Sequence, residues 1–85
     1  MKEQHLESKN IVGPQVRYAR LYHHPPLKQS DLAALLQGSG VQMDRIAVSR
    51  VERGDRTVAD FELVALAAVL NRTVEWLLTF QPGQD

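Results

Sequence analysis

Residues 61–70 read FELVALAAVL, a run in which Glu62 is the one charged side chain. A helix that is apolar around most of its circumference has to be surrounded by other elements, and the chain has little material for that. Its 85 residues leave room for a single domain, because chains of this size bury only roughly 60% of their unfolded surface and cannot support two cores. The rest of the sequence must therefore wrap this segment. Asp60 is placed to cap it and Asn71 to stop it.

Glycine, proline and short polar residues divide the remainder into further helices. Gly13-Pro14 starts the first, with proline in the first turn where its missing N–H matters least. From Pro14 to about His23 the stripe Val16, Ala19, His23 shares one side, and Pro25-Pro26 forbids continuation. The second pattern spans Leu27 to Leu36, with Leu32, Ala33, Leu35 and Leu36 on its apolar side and Ser30 and Asp31 near its start. Gly38-Ser39-Gly40 ends it. Val41 and Met43 then tuck inward, Asp44 caps a third helix, and Gly54 closes that helix in a left-handed conformation. Thr73 caps a fifth, VEWLLTF. No stretch alternates as a half-buried strand does. The expected fold is all-α, a five-helix domain over residues 11–80, between a polar N-terminal arm (1–10) that frays and a C-terminal tail (81–85).

Several function classes fall away on composition. The chain has no cysteine, which removes disulfides, thiol chemistry and cysteine-held zinc and fits a reducing compartment. It carries neither a signal-peptide core nor the run of about 20 apolar residues that a membrane span requires, so a soluble, cytoplasmic protein is expected. No serine has a histidine and an acid arranged around it, no glycine-rich loop follows a strand, and no paired carboxylates sit on an apolar surface. The expectation is no enzyme, no cofactor and no small-molecule effector. Adjacent His23 and His24 point about 100° apart on a helix, which argues against a shared metal, and a helix C-terminus favours charged histidine without any further role.

Ten basic and ten acidic side chains cancel, yet they are unevenly placed. Residues 14–56 hold seven Lys or Arg against four Asp or Glu, whereas residues 57–85 hold one against four. On a wheel of about 100° per residue, residues 45–53 put Arg45, Ile46, Ser49, Arg50 and Arg53 on one arc and Ala47, Val48, Val51 and Glu52 on the other. The arginine arc has no carboxylate to pair with at helical spacing. An α-helix fits the major groove of B-DNA, where arginine reads guanine, a hydroxyl serves as donor or acceptor, and an apolar group meets a thymine methyl. Ile46 can do the last of these or pack on the preceding loop. Glu52, on the inward arc, needs a partner because an unpaired carboxylate removed from water is costly. Arg20 is the candidate.

The fragments LKQSDLAALL, VSRVERG, DFELVALAAVL and TVEWLL, in that order, make residues 11–79 resemble the phage-repressor-like (lambda-repressor-like) helix-turn-helix regulators, also called the xenobiotic-response-element family. The resemblance implies that helices two and three form the helix-turn-helix. It also implies base contacts from Arg45, Ile46, Ser49 and Arg50, and phosphate contacts from Lys28, Gln29 and Arg53. The family pairs an arginine of helix one with the glutamate before Arg-Gly, which again points to Arg20 and Glu52. The links HHPPLKQ and QGSGVQMD are longer than in the commonest pattern and look like those of a subgroup with an expanded turn.

Trp76, Leu77 and Phe80 give the fifth helix a large apolar surface. Trp76 and Leu77 either complete the core or, with Phe80 and as the family often does with this helix, form a two-fold contact between subunits. The expected function is therefore a sequence-specific, DNA-binding transcriptional regulator, a repressor acting as a homodimer on double-stranded DNA. The rival reading is an antitoxin or protein-interaction module working through the fifth helix.

Overall fold

The structure, a computed structural model, describes residues 7–82. Among them run helices α1 (Gly13–Leu21), α2 (Gln29–Gly38), α3 (Arg45–Arg53), α4 (Asp60–Leu70) and α5 (Val74–Thr79), and no strand. The all-α, five-helix expectation holds.

The helix ends have local chemical causes. α1 stops at Leu21, before His23, because the chain turns back on Arg20, whose carbonyl accepts from the N–H groups of His23 (3.4 Å) and Leu27 (3.1 Å). α2 starts at Gln29 rather than Leu27, with the Lys28 N–H donating to the Asp31 carboxylate at 2.8 Å. The Asp44 carboxylate accepts from the Ala47 N–H at 2.8 Å, which starts α3, and Gly54 ends it at φ 80°. Asp60 does not cap α4. Ala59 holds that position, and Glu62, one turn on, accepts from its N–H at 3.0 Å. Asn71 (φ 61°) stops α4, and the Thr73 hydroxyl accepts from the Trp76 N–H at 2.9 Å to begin α5.

Every helix contributes to one core. Val16, Leu32, Leu36, Met43, Val48, Val51, Leu66, Leu70 and Leu77 are almost fully buried. Val41 and Met43 turn inward from the linker between α2 and α3. α4 is not enclosed all round: Leu66, Ala67 and Leu70 are buried, but Phe61 and Val64 are 65% and 59% exposed. Leu35 also faces outward. Leu77 is corrected from interface to core, since it is 0% exposed. The reason is the turn of α5, which directs Leu77 inward while Gln15 of α1 donates to its carbonyl at 2.9 Å. Gln15, Arg20 and Glu62 are buried as whole residues and the Glu52 side chain is buried too, and among the described residues no buried side-chain nitrogen or oxygen lacks a partner.

Residues 1–6 and 83–85, parts of the expected arm and tail, lie outside the described residues. The rest of the arm is tied down rather than frayed. The Lys9 N–H donates to the Gly54 carbonyl at 2.8 Å, and the Asn10 side chain bonds across the fold. No described helix is long and apolar enough to cross a membrane.

Candidate nucleic-acid interface

The α3 sequence sorts its residues by side. Val48 and Val51 are each 1% exposed and anchor the helix on α1 and α2, the two elements it packs against most. On the opposite side Arg45, Ile46, Arg50 and Arg53 are exposed and Ser49 is half-buried. Ile46 is 59% exposed, so it is not packed on the preceding loop.

Short bonds order part of this surface. Arg53 donates through Nη1 to Ser49 Oγ at 2.9 Å and pairs through Nε with Asp55 Oδ2 at 3.1 Å. Arg50 donates through Nη2 to the Asp55 carbonyl at 3.3 Å. The Arg53–Asp55 pair is open to water, where such pairs contribute little, so both arginines can be redirected to another acceptor at small cost.

Behind this surface the structure brings Arg20 and Glu52 together. Arg20 Nε lies 2.7 Å from Glu52 Oε2 and Nη2 lies 2.9 Å from Oε1. Gln29 is turned the same way, its Nε2 donating to Glu52 Oε1 at 3.1 Å. The amide of Gln29 is thus engaged inward, while the N–H groups in the first turn of α2 have no intrahelical acceptor and suit an anion. Lys28, at the head of that turn, is exposed. Glu52 spends its charge on Arg20 and does not neutralise the outward arginines.

Trp76 and Phe80 stack at 4.6 Å and meet Tyr18 at 6.1 and 5.0 Å, and Tyr18 contacts Tyr22 at 4.4 Å. Arg72 lies 4.2 Å over the Trp76 ring. This aromatic cluster bridges α1 and α5, and Trp76 and Phe80 stay half-buried.

Two features escaped the sequence reading. Asn10 accepts from the N–H groups of Val12 and Gly13, a pattern that its spacing before Gly13-Pro14 could have signalled. Arg56 grips Glu62 at 2.9 and 3.1 Å. That bond holds the Glu62 carboxyl below its ordinary value, against the opposing effect of burial and with help from the Ala59 N–H, and it raises the Arg56 guanidinium.

Two solved structures resemble the chain. The restriction-modification controller protein C.AhdI from Aeromonas hydrophila is 33% identical over 78% of this chain and 86% of its own, with a TM-score of 0.64. The DNA-binding domain of BldD is 26% identical over 86% of this chain and 96% of its own, with a TM-score of 0.65. No protein-family model and no curated protein matches the sequence.

Proposed function

Since the chain belongs to the lambda-repressor-like helix-turn-helix family, we propose that it is a sequence-specific DNA-binding transcriptional regulator that acts as a repressor. The observation that carries this reading is the outward side of α3, where three arginines, Ser49 and Ile46 face solvent while Glu52 is occupied from behind by Arg20. In the proposed complex α3 enters the major groove. Arg45 and Arg50 read base edges, Ser49 adds a hydroxyl, and Ile46 meets a thymine methyl. Lys28, the first-turn N–H of Gln29, and Arg53 hold phosphates, which fix register without reading sequence.

The protein binds as a homodimer through the Trp76 and Phe80 side of α5. Two copies of α3 about one helical turn apart, roughly 34 Å, then match the half-sites of an approximately palindromic operator. Bound at a promoter, such a dimer excludes polymerase. The two similar proteins support the DNA-binding part of this reading: one is a controller of restriction-modification and the other a DNA-binding domain.

Selection of bound sequences from random duplex DNA tests the proposal. It expects a near-palindromic winner whose affinity exceeds that for scrambled DNA by about 10³-fold or more. No enrichment, with weak binding that vanishes in salt, would turn attention to a protein partner for the aromatic cluster.

A further inference from the structure

The Asn10 side chain uses all of its hydrogen-bonding capacity, two donors and two acceptor positions, and spends it on two different elements. Its Oδ1 accepts from the N–H groups of Val12 (3.0 Å), the N-cap residue of α1, and Gly13 (2.8 Å), its first helical residue. Its Nδ2 donates to the carbonyls of Val51 (3.0 Å) and Arg56 (2.8 Å), partners 41 and 46 residues away. Val51 belongs to the last turn of α3, and its carbonyl accepts from the Gly54 N–H at 3.0 Å as well as from Asn10. Lys9 extends the junction by donating its N–H to the Gly54 carbonyl at 2.8 Å. Close packing completes it: a Cβ on Gly13 would stand 2.5 Å from the Val51 carbonyl oxygen and 2.8 Å from that of Glu52.

We infer that Asn10 is a positioning residue for the reading surface, setting where the C-terminal end of α3 stands and hence how deeply Arg50 and Arg53 reach. The inference rests on the DNA-binding reading above. Recognition groups have to be held within roughly 0.5 Å and 10–20° of their working geometry by a supporting shell. Besides the packing of Val48 and Val51, α3 has two polar supports of this kind. The Arg20–Glu52 pair holds its inner side, and Asn10 holds its end while also starting the helix it packs on. Asn10 touches no base in this account; it acts through Val51 and the turn that follows.

The informative variant is Asn10→Asp. A carboxylate keeps the acceptor for Val12 and Gly13, and its charge suits a helix N-terminus, but it presents oxygen to the two carbonyls in place of N–H. The side-chain junction to α3 is lost while the bonds to the start of α1 are kept. Binding is measured for the full chain on the selected operator and on scrambled DNA, below the melting temperature, beside Val69→Ala as a destabilised control distant from α3. The expected result is a fall of about tenfold or more in the operator-to-scrambled ratio for Asn10→Asp, equivalent to the loss of one good base contact. Scrambled-DNA affinity and the Val69→Ala ratio stay near wild type. A folded Asn10→Asp with the wild-type ratio overturns the inference. If Asn10→Asp does not fold, Asn10→Ala takes its place with the same expectation, and failure of both to fold makes Asn10 a folding residue and overturns its positioning role. Failure of wild type to select any operator instead defeats the DNA-binding reading, and the inference falls with it.

Discussion

Arg20 of α1 holds both carboxylate oxygens of Glu52 in α3, at 2.7 and 2.9 Å, with side chains only 9% and 4% exposed. Its remaining nitrogen, Nη1, donates to the Leu27 carbonyl at 3.0 Å, and Gln29 of α2 gives Glu52 a third donor. One carboxylate therefore joins three helices, and the two that form the helix-turn-helix are fixed relative to the first.

Removing either partner leaves the other charged and buried. Arg20→Ala or Glu52→Ala should each lower stability by about 3–5 kcal/mol, whereas replacing both by Met and Leu should cost much less, since a well-packed apolar pair often matches a buried ion pair. Urea denaturation of the four proteins checks this. Single variants within 1 kcal/mol of wild type would contradict the bridging role.

The neighbours Trp76 and Leu77 should behave differently. Leu77→Ala empties part of the core and should cost about 2–5 kcal/mol of stability at any protein concentration. Replacing Trp76 and Phe80 together should lower the fraction of dimer, and the affinity for a two-half-site operator more than for a half-site. Sedimentation and paired titrations separate the two. A Leu77→Ala protein with normal stability but no dimer would reverse the assignment.

Gly13→Ala should invert the usual sign of a glycine replacement. Inside a helix alanine normally stabilises by roughly 0.5–1 kcal/mol, but here the new methyl would press on the carbonyls of Val51 and Glu52. A net loss of about 1–3 kcal/mol is expected, the usual cost of overpacking. A raised melting temperature would show that α1 and α3 are less closely apposed.

The Arg56–Glu62 bond ties the loop after α3 to the first turn of α4 and holds the Glu62 carboxyl below its ordinary value of 4.5. The folded state therefore binds this proton less readily than the unfolded chain, so the stability it contributes is fully present above 4.5 and is lost as pH falls through the lower folded value. Glu62→Gln should be less stable than wild type at pH 7, with the gap narrowing as the solution is acidified below 4.5. Melting temperatures from pH 7 to pH 3 test this, and a gap that does not vary with pH would contradict it.

How far the sequence could be read depended on the range of the interaction. Asp44, Gly54, Asn71 and Thr73 act on backbone within a few residues, and each ends or starts a helix as its chemistry dictates. Asp60 misled because Glu62, two residues on, competes for the same cap and is held in place by Arg56. In α4 almost every residue is apolar, so periodicity could not show that Phe61 and Val64 face outward. The orientation of α5 was equally hidden in a helix of six residues, which left Leu77 open between the core and a subunit contact. Asn10 looked like part of a loose arm because its partners Val51 and Arg56 lie more than 40 positions away. At the interface, wheel geometry separated the outward arginines from Val48 and Val51, but it gave no sign that Gln29 turns its amide to Glu52.

Whether the arginine side of α3 reads bases is tested most directly by Arg50→Ala, titrated against the selected operator, operators changed at single base pairs, and scrambled DNA at two salt concentrations. Arg50→Ala should lose about 1–3 kcal/mol on the operator, little on scrambled DNA, and become indifferent to one base pair. Lys28→Ala, run beside it, should weaken every sequence alike and reduce the salt slope by about one. An equal loss on operator and scrambled DNA for Arg50→Ala would show that the residue meets only phosphate and would contradict the assignment of α3 as the reading helix.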